Sequence, residues 1–129
     1  MPYHKQLCDH FAKDGLKTIL HSDGAVDTLI PHFLTAGFTA LHPLEAKAGM
    51  DVKVLKPIYG DRLVLFGNID VRKLAGSLED IEEEISSKFE IAKKDGRYIY
   101  HSDHSVPSNV SFKNYTFAVE MIKKYGRYE

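Results

Sequence analysis

Four times along this 129-residue chain a short apolar, β-branched run ends in a polar cluster and gives way to apolar residues at helical spacing. Strands alternating with helices through short connections imply a parallel sheet joined by right-handed crossovers. The runs are 17–21, 38–42, 62–66 and 97–101, and the helices that follow cover 26–36, 49–59, 78–92 and the stretch beginning at Ser111. A further helix, 3–13, precedes them all. Helices on one side of the sheet would make half of a barrel, whereas helices on both sides would make a small doubly wound sheet, and periodicity alone does not separate the two. No linker or composition break divides the chain, so residues 1–129 read as a single domain.

The helices carry their own signals. Pro31 either bends the first crossover helix or sets its true start, and Gly37 stops it. Met50, Val54, Leu55 and Ile58 share one face of the second. Ser77 followed by Asp80 opens the long helix as a capping box. Its buried stripe is Leu78, Ile81, Ile85, Phe89 and Ala92, while Glu79, Glu82, Glu83 and Glu84 face water or the helix dipole. The last helix turns Tyr115, Ala118, Val119 and Ile122 inward. The run 62–66 is nearly continuous in apolar residues, as expected of a strand covered on both faces.

Composition narrows the function. A chain with 43% apolar and 27% charged residues builds an ordinary core, and a formal net charge of −1 gives no field attractive to nucleic acid or anionic lipid. No apolar run approaches the roughly 20 residues of a membrane span, and the first ten residues, with His4, Lys5 and Asp9, lack a signal peptide's apolar stretch. The expected location is therefore cytoplasmic. Cys8 is the one cysteine, which excludes an intrachain disulfide or a Cys-x-x-Cys metal knuckle and suits a small buried apolar residue.

Chemistry concentrates at the strand ends. His21-Ser22-Asp23-Gly24 follows the first run, and His101-Ser102-Asp103-His104 follows the fourth. In parallel α/β architectures ligands bind at the carboxyl ends of strands, so the two tetrads read as two walls of one site. Asp23, two residues beyond His21, lies on the same face while the chain remains extended, where it would orient the imidazole; alternatively it caps the following turn with Gly24. Asp103 either stabilises His104 as a cation or begins an Asx turn toward Pro107. Glu45 is a site carboxylate or a loop residue, and Asn68 and Asp70 would hold the site mouth together. His4, His10, His32 and His42 carry no arrangement that lifts them above surface or core roles, and Gly126-Arg127-Tyr128 reads as a docking tail.

The ordered series Leu20-His21-Ser22-Asp23-Gly24, Ala36-Gly37-Phe38, Pro43-Leu44-Glu45-Ala46-Lys47-Ala48-Gly49-Met50-Asp51, Tyr59-Gly60, Phe66-Gly67-Asn68-Ile69-Asp70, Ser102-Asp103-His104 and Asn114-Tyr115 resembles the carboxy-terminal half of the uroporphyrinogen decarboxylase family. The resemblance implies the last four strands and helices of a (β/α)₈ barrel, a fold of about 250 residues. It implies either a longer barrel cut short or a stand-alone half-barrel. An open half-barrel exposes two strand edges and an apolar inner face, so self-association is expected, as two copies related by C₂ symmetry or by pairing with a missing amino-terminal half.

By the same resemblance the activity is that of a carboxy-lyase, removing carbon dioxide from the acetate side chains of a tetrapyrrole in haem synthesis without a cofactor. His104 matches the histidine the family carries after its last strand, where it contacts substrate, and is the candidate catalytic residue. His21, Asp23, Glu45, Asn68, Asp70 and Asp103 are the candidate substrate-binding residues. The family's key aspartate, arginines, tyrosine and serine belong to strands outside this sequence, so the chain alone should have little activity. The family also includes corrinoid-linked methyltransferases that hold zinc through His-x-Cys and a later cysteine. His21 and Asp23 stand at the first of these positions and His104 near the second, so a zinc site would use these three without any cysteine. A non-enzymatic binding or assembly module is the remaining alternative.

Overall fold

The computed structural model describes residues 1–128. Helix α1, Pro2–Ala12, leads into strand β1, Ile19–His21, a 3₁₀ turn, Asp27–Leu29, and α2, Ile30–Ala36. Then come β2, Ala40–His42; α3, Val52–Tyr59; β3, Val64–Phe66; the short α4, Val71–Leu74; α5, Leu78–Ala92; β4, Tyr98–Ile99; and α6, Phe112–Tyr125. The four strands are all parallel and lie in the order β1-β2-β3-β4. Because every crossover moves to the next strand on the same side with the same hand, all the crossover helices lie on one face of the sheet. This is the half-barrel arrangement, an α/β unit of a (β/α)₈ fold, and the doubly wound alternative falls away.

Side chains alternate across each strand, and the two faces meet different surroundings. Leu41, Leu63 and Leu65 point into the helical layer, where they pack with Ile30, Phe33, Val52 and Leu55. Ile69, Leu74, Ile81, Ile85, Phe89 and Ala118 form a second cluster between α4, α5 and α6. Tyr98 packs against both clusters and donates its hydroxyl to the Gly67 carbonyl at 2.9 Å. Burial pushes its phenol well above the usual tyrosine value. The opposite face is open: Ile19 is 53% exposed and Ile99 43%, and Val64 and Phe66 are half-buried. The third strand is thus covered on one face only, contrary to the reading of its continuous apolar run.

Local signals resolve as follows. Pro31 sits in the first turn of α2, so it sets the start and does not bend the helix, and Gly37 closes it with a left-handed φ of 99°. Ser77 and Asp80 form the complete capping box of α5. Cys8 is buried. In α3 the expected face is rotated: Val54 and Ile58 are exposed, while Val52, Leu55 and Lys56 are buried with Tyr59 packed against the core. The cause is that Asp51 caps the helix through the Lys53 N–H, and Lys56 takes an inward position at i+4, burying its stem and donating its ammonium to the Gly96 carbonyl. Glu84, expected in water, is instead partly buried, pairing with Lys88 at 2.5 Å and accepting the Asp70 N–H at 2.8 Å. Tyr115 of α6 is 41% exposed, and Ala118 carries the inward face in its place.

Candidate functional site

Parallel register puts histidines side by side at the carboxyl ends of the strands. His21 of β1 lies opposite His42 of β2, and their Nδ1 atoms are 2.8 Å apart. On the far side of the same ring, His42 Nε2 is 3.2 Å from His101 Nδ1. His101 reaches this place because the pairing of β3 and β4 continues past the strands, through the Ile69–Ser102 bridge. Phe66 of β3 backs the row, its ring centroid 4.6 Å from that of His42 and 5.6 Å from that of His101. Three imidazoles therefore cross the open face of the sheet over an aromatic floor.

Charge along the row is constrained. Burial pushes His42 below the ordinary imidazole value, and the neighbouring His101 and His21 lower it further against an opposing pull from Asp23. Asp23 Oδ1 faces His21 Nε2 at 3.6 Å, the orienting position expected from the extended tetrad, and its side chain caps no helix. His42, set aside in the sequence as a surface or core residue, is thus the centre of the row. The signal was present: His42 ends its strand as His21 and His101 end theirs, and the same strand-end argument applies to it.

The other candidates brace the loops around this mouth. Asn68 is fully buried with φ 74°, accepts the Val52 N–H at 2.9 Å, and donates to the Leu44 and Met50 carbonyls, both at 2.7 Å. Asp103, 1% exposed, accepts the Ala46 N–H at 2.9 Å through one oxygen and the Val71 N–H at 3.0 Å through the other. It therefore neither pairs with His104 nor starts an Asx turn: its carboxylate ties the loops after β2 and β3 to the end of β4. Asp70 caps α4 through the Arg72 N–H and pairs with the Arg72 guanidinium at 2.7 Å. Burial raises its carboxyl, but the Arg72 hydrogen bonds outweigh that and leave it below the usual range. Glu45 accepts the Lys47 ammonium at 2.9 Å and the Gly24 N–H at 2.7 Å, and these bonds, with His104 adding a smaller pull, hold its carboxyl below the usual range. His104 itself is exposed at the rim, its Nδ1 donating toward the Ser105 carbonyl at 3.3 Å. The structure thus brings His21 and Asp23 together with His42 and His101, and leaves His104 outside the row.

A zinc site does not fit this arrangement. The imidazoles stand in line rather than converging on a point, and among the described residues no group of three or more His, Cys, Asp or Glu side chains could hold a metal ion.

Residues 1–125 match the family described as Uroporphyrinogen decarboxylase (URO-D). The chain belongs to the uroporphyrinogen decarboxylase family. The match runs from α1 to the last turn of α6, so every strand end described above lies within it. No curated protein matches the sequence significantly. Within the family's barrel architecture, the histidine row occupies the strand-end face where barrel enzymes carry their chemistry. Among the described residues no helix is long and apolar enough to cross a membrane.

Proposed function

We propose that this chain forms one wall of a decarboxylase site for a tetrapyrrole bearing acetate side chains. The observation that carries the reading is the line of His21, His42 and His101 across the open, carboxyl-end face of a family half-barrel. The reaction protonates a pyrrole ring carbon, releases carbon dioxide, protonates the side-chain carbon left behind and returns the ring carbon's proton to a base, a net uptake of one proton that needs placed proton donors and acceptors and no resident cofactor. Imidazoles suit both tasks, since they move protons near neutral pH and donate to carboxylates. In this reading Asp23 orients His21, His104 meets a substrate carboxylate at the rim, and Glu45, Asn68, Asp70 and Asp103 hold the loops that frame the pocket. The four strands present two free edges, and a closed (β/α)₈ barrel needs eight, so four further strands would complete the working site.

The test is titration of the purified chain with uroporphyrin, the oxidised stand-in for the substrate, followed by its Soret band. A saturable shift is expected, with His42→Ala and His101→Ala each weakening it about tenfold. Absence of any shift on the wild-type chain would overturn the reading, as would wild-type affinity in both variants.

A further inference from the structure

We infer that His101, His42 and His21 form a one-directional imidazole relay that carries a proton across the mouth of the sheet toward Asp23. The direction follows from hydrogen-bond chemistry at one end. His101 Nδ1 lies 2.5 Å from the Ser102 carbonyl oxygen, which can only accept, so Nδ1 bears the proton. A protonated Nδ1 has no lone pair to offer His42, so at 3.2 Å it donates to His42 Nε2 as well. With Nε2 accepting, neutral His42 carries its proton on Nδ1 and donates it to His21 Nδ1 at 2.8 Å. His21 then holds its own proton on Nε2, the atom that faces Asp23 Oδ1 at 3.6 Å. One carbonyl therefore fixes three tautomers in a consistent sense.

The transfer balances. A proton taken up at His101 Nε2 releases the Nδ1 proton to His42 Nε2. His42 releases its Nδ1 proton to His21 Nδ1, and His21 Nε2 gives up a proton on the Asp23 side. One proton enters and one leaves, with no net change in charge along the row. Passage leaves the three rings in reversed tautomers. In that state a His101 Nδ1 lone pair would face the Ser102 oxygen, a repulsion that favours return to the starting arrangement.

The charged and titratable groups that bear on the central ring are His21 from β1, His101 beyond β4, and Asp23 from the loop after β1; β3 contributes the apolar ring of Phe66. The lowered basicity of His42 keeps it neutral at rest, as a relay member should be. The use of the relay rests on the decarboxylase reading, because each lost carbon dioxide leaves a carbon that must take up one proton. The relay itself needs no substrate to be tested.

Long-range ¹H–¹⁵N correlation spectra of the ¹⁵N-labelled full chain at mildly basic pH read the tautomers directly. The expected pattern is Nδ1–H on His101, Nδ1–H on His42 and Nε2–H on His21, with nitrogen–nitrogen coupling across the His42–His21 bond. His42 found in the Nε2–H form would overturn the relay, because both of its links would then point the wrong way. In His101→Phe the titration midpoint of His42 should rise, and an unmoved midpoint would show that the rings are not coupled. Should that variant not fold, the wild-type tautomer pattern still decides. Ordered tautomers without porphyrin binding would remove the substrate reading and leave the relay; porphyrin binding with disordered tautomers would do the reverse.

Discussion

Gly67 lies so close to Pro43 that a Cβ on it would stand 2.0 Å from the Pro43 carbonyl oxygen. The same carbonyl accepts the Asn68 N–H at 2.9 Å, so the chain leaving β3 is pressed directly onto the chain leaving β2. Gly67 also has φ 119°, a conformation that L side chains rarely adopt. Gly67→Ala meets both the strain and the collision, and backbone atoms cannot swing aside as a flexible side chain can. Urea unfolding should show a loss of more than about 2 kcal/mol, and a change within experimental error would mean that the two loops separate freely.

Asn68 joins three segments from a fully buried position, and its hydrogen bonds leave the Leu44 and Met50 carbonyls and the Val52 N–H dependent on one side chain. Asn68→Ala should cost about 3 kcal/mol, because buried backbone groups are left unpaired. Amide exchange separates the parts: the Val52 amide should exchange faster in Asn68→Ala but stay protected in Asn68→Asp, which retains the acceptor. Equal exchange at Val52 in all three proteins would sink the assignment.

Asp103 should behave as a brace and not as an acid. Replacing it with Asn turns one accepting oxygen into a donor that must face either the Ala46 or the Val71 N–H. The expected result is faster exchange of those two amides and a loss of about 1–3 kcal/mol of stability. Stability unchanged in Asp103→Asn would return the residue to the list of candidates that act on substrate.

The lowered basicity of His42 gives a stability signature on the acid side. In the unfolded chain its imidazole titrates near its ordinary value, about 6.5, whereas in the folded chain it protonates only at lower pH. Between those two points the unfolded state binds more protons, so stability falls as pH drops from neutral through this window, and the loss is complete below the folded value. His42→Phe, which stacks on Phe66 without an ionisable group, should flatten this part of the profile. An identical acid slope in the two proteins would place the sensitivity elsewhere.

Strand and helix alternation, the capping box and the stop at Gly37 were legible in the sequence because each depends on neighbours within a few residues. Loss of the doubly wound alternative required the strand order, which no local pattern encodes. The site divides along the same line. His21 and Asp23 share a tetrad and could be paired from spacing, but the contact of His42 with both His21 and His101 arises from register between strands that lie far apart in the chain. Asn68, Asp70, Glu45 and Asp103 were visible as polar residues at strand ends, yet their partners are backbone groups of other loops, and a sequence does not say which carbonyls and amides a fold leaves in need of partners. The rotation of α3 turned on Lys56, a residue whose charge argues for water and whose stem argues for the core.

The open face of the sheet should drive association, and Ile99 is the place to test it. Its side chain and that of Ile19 lie on the face away from the helices, 43% and 53% exposed, beside the half-buried Val64. β1 and β4 both present unpaired strand edges, so a second copy could cover the apolar face and the edges together. Light scattering across a dilution series should show a mass above that of the monomer that falls on dilution. Ile99→Glu places a charge in the covered region without touching the helical core, so it should shift the equilibrium toward monomer by about tenfold or more while the far-ultraviolet spectrum is retained. A wild-type chain that is monomeric throughout the series, or an Ile99→Glu variant that associates as the wild type does, would show that this face is not where the copies meet.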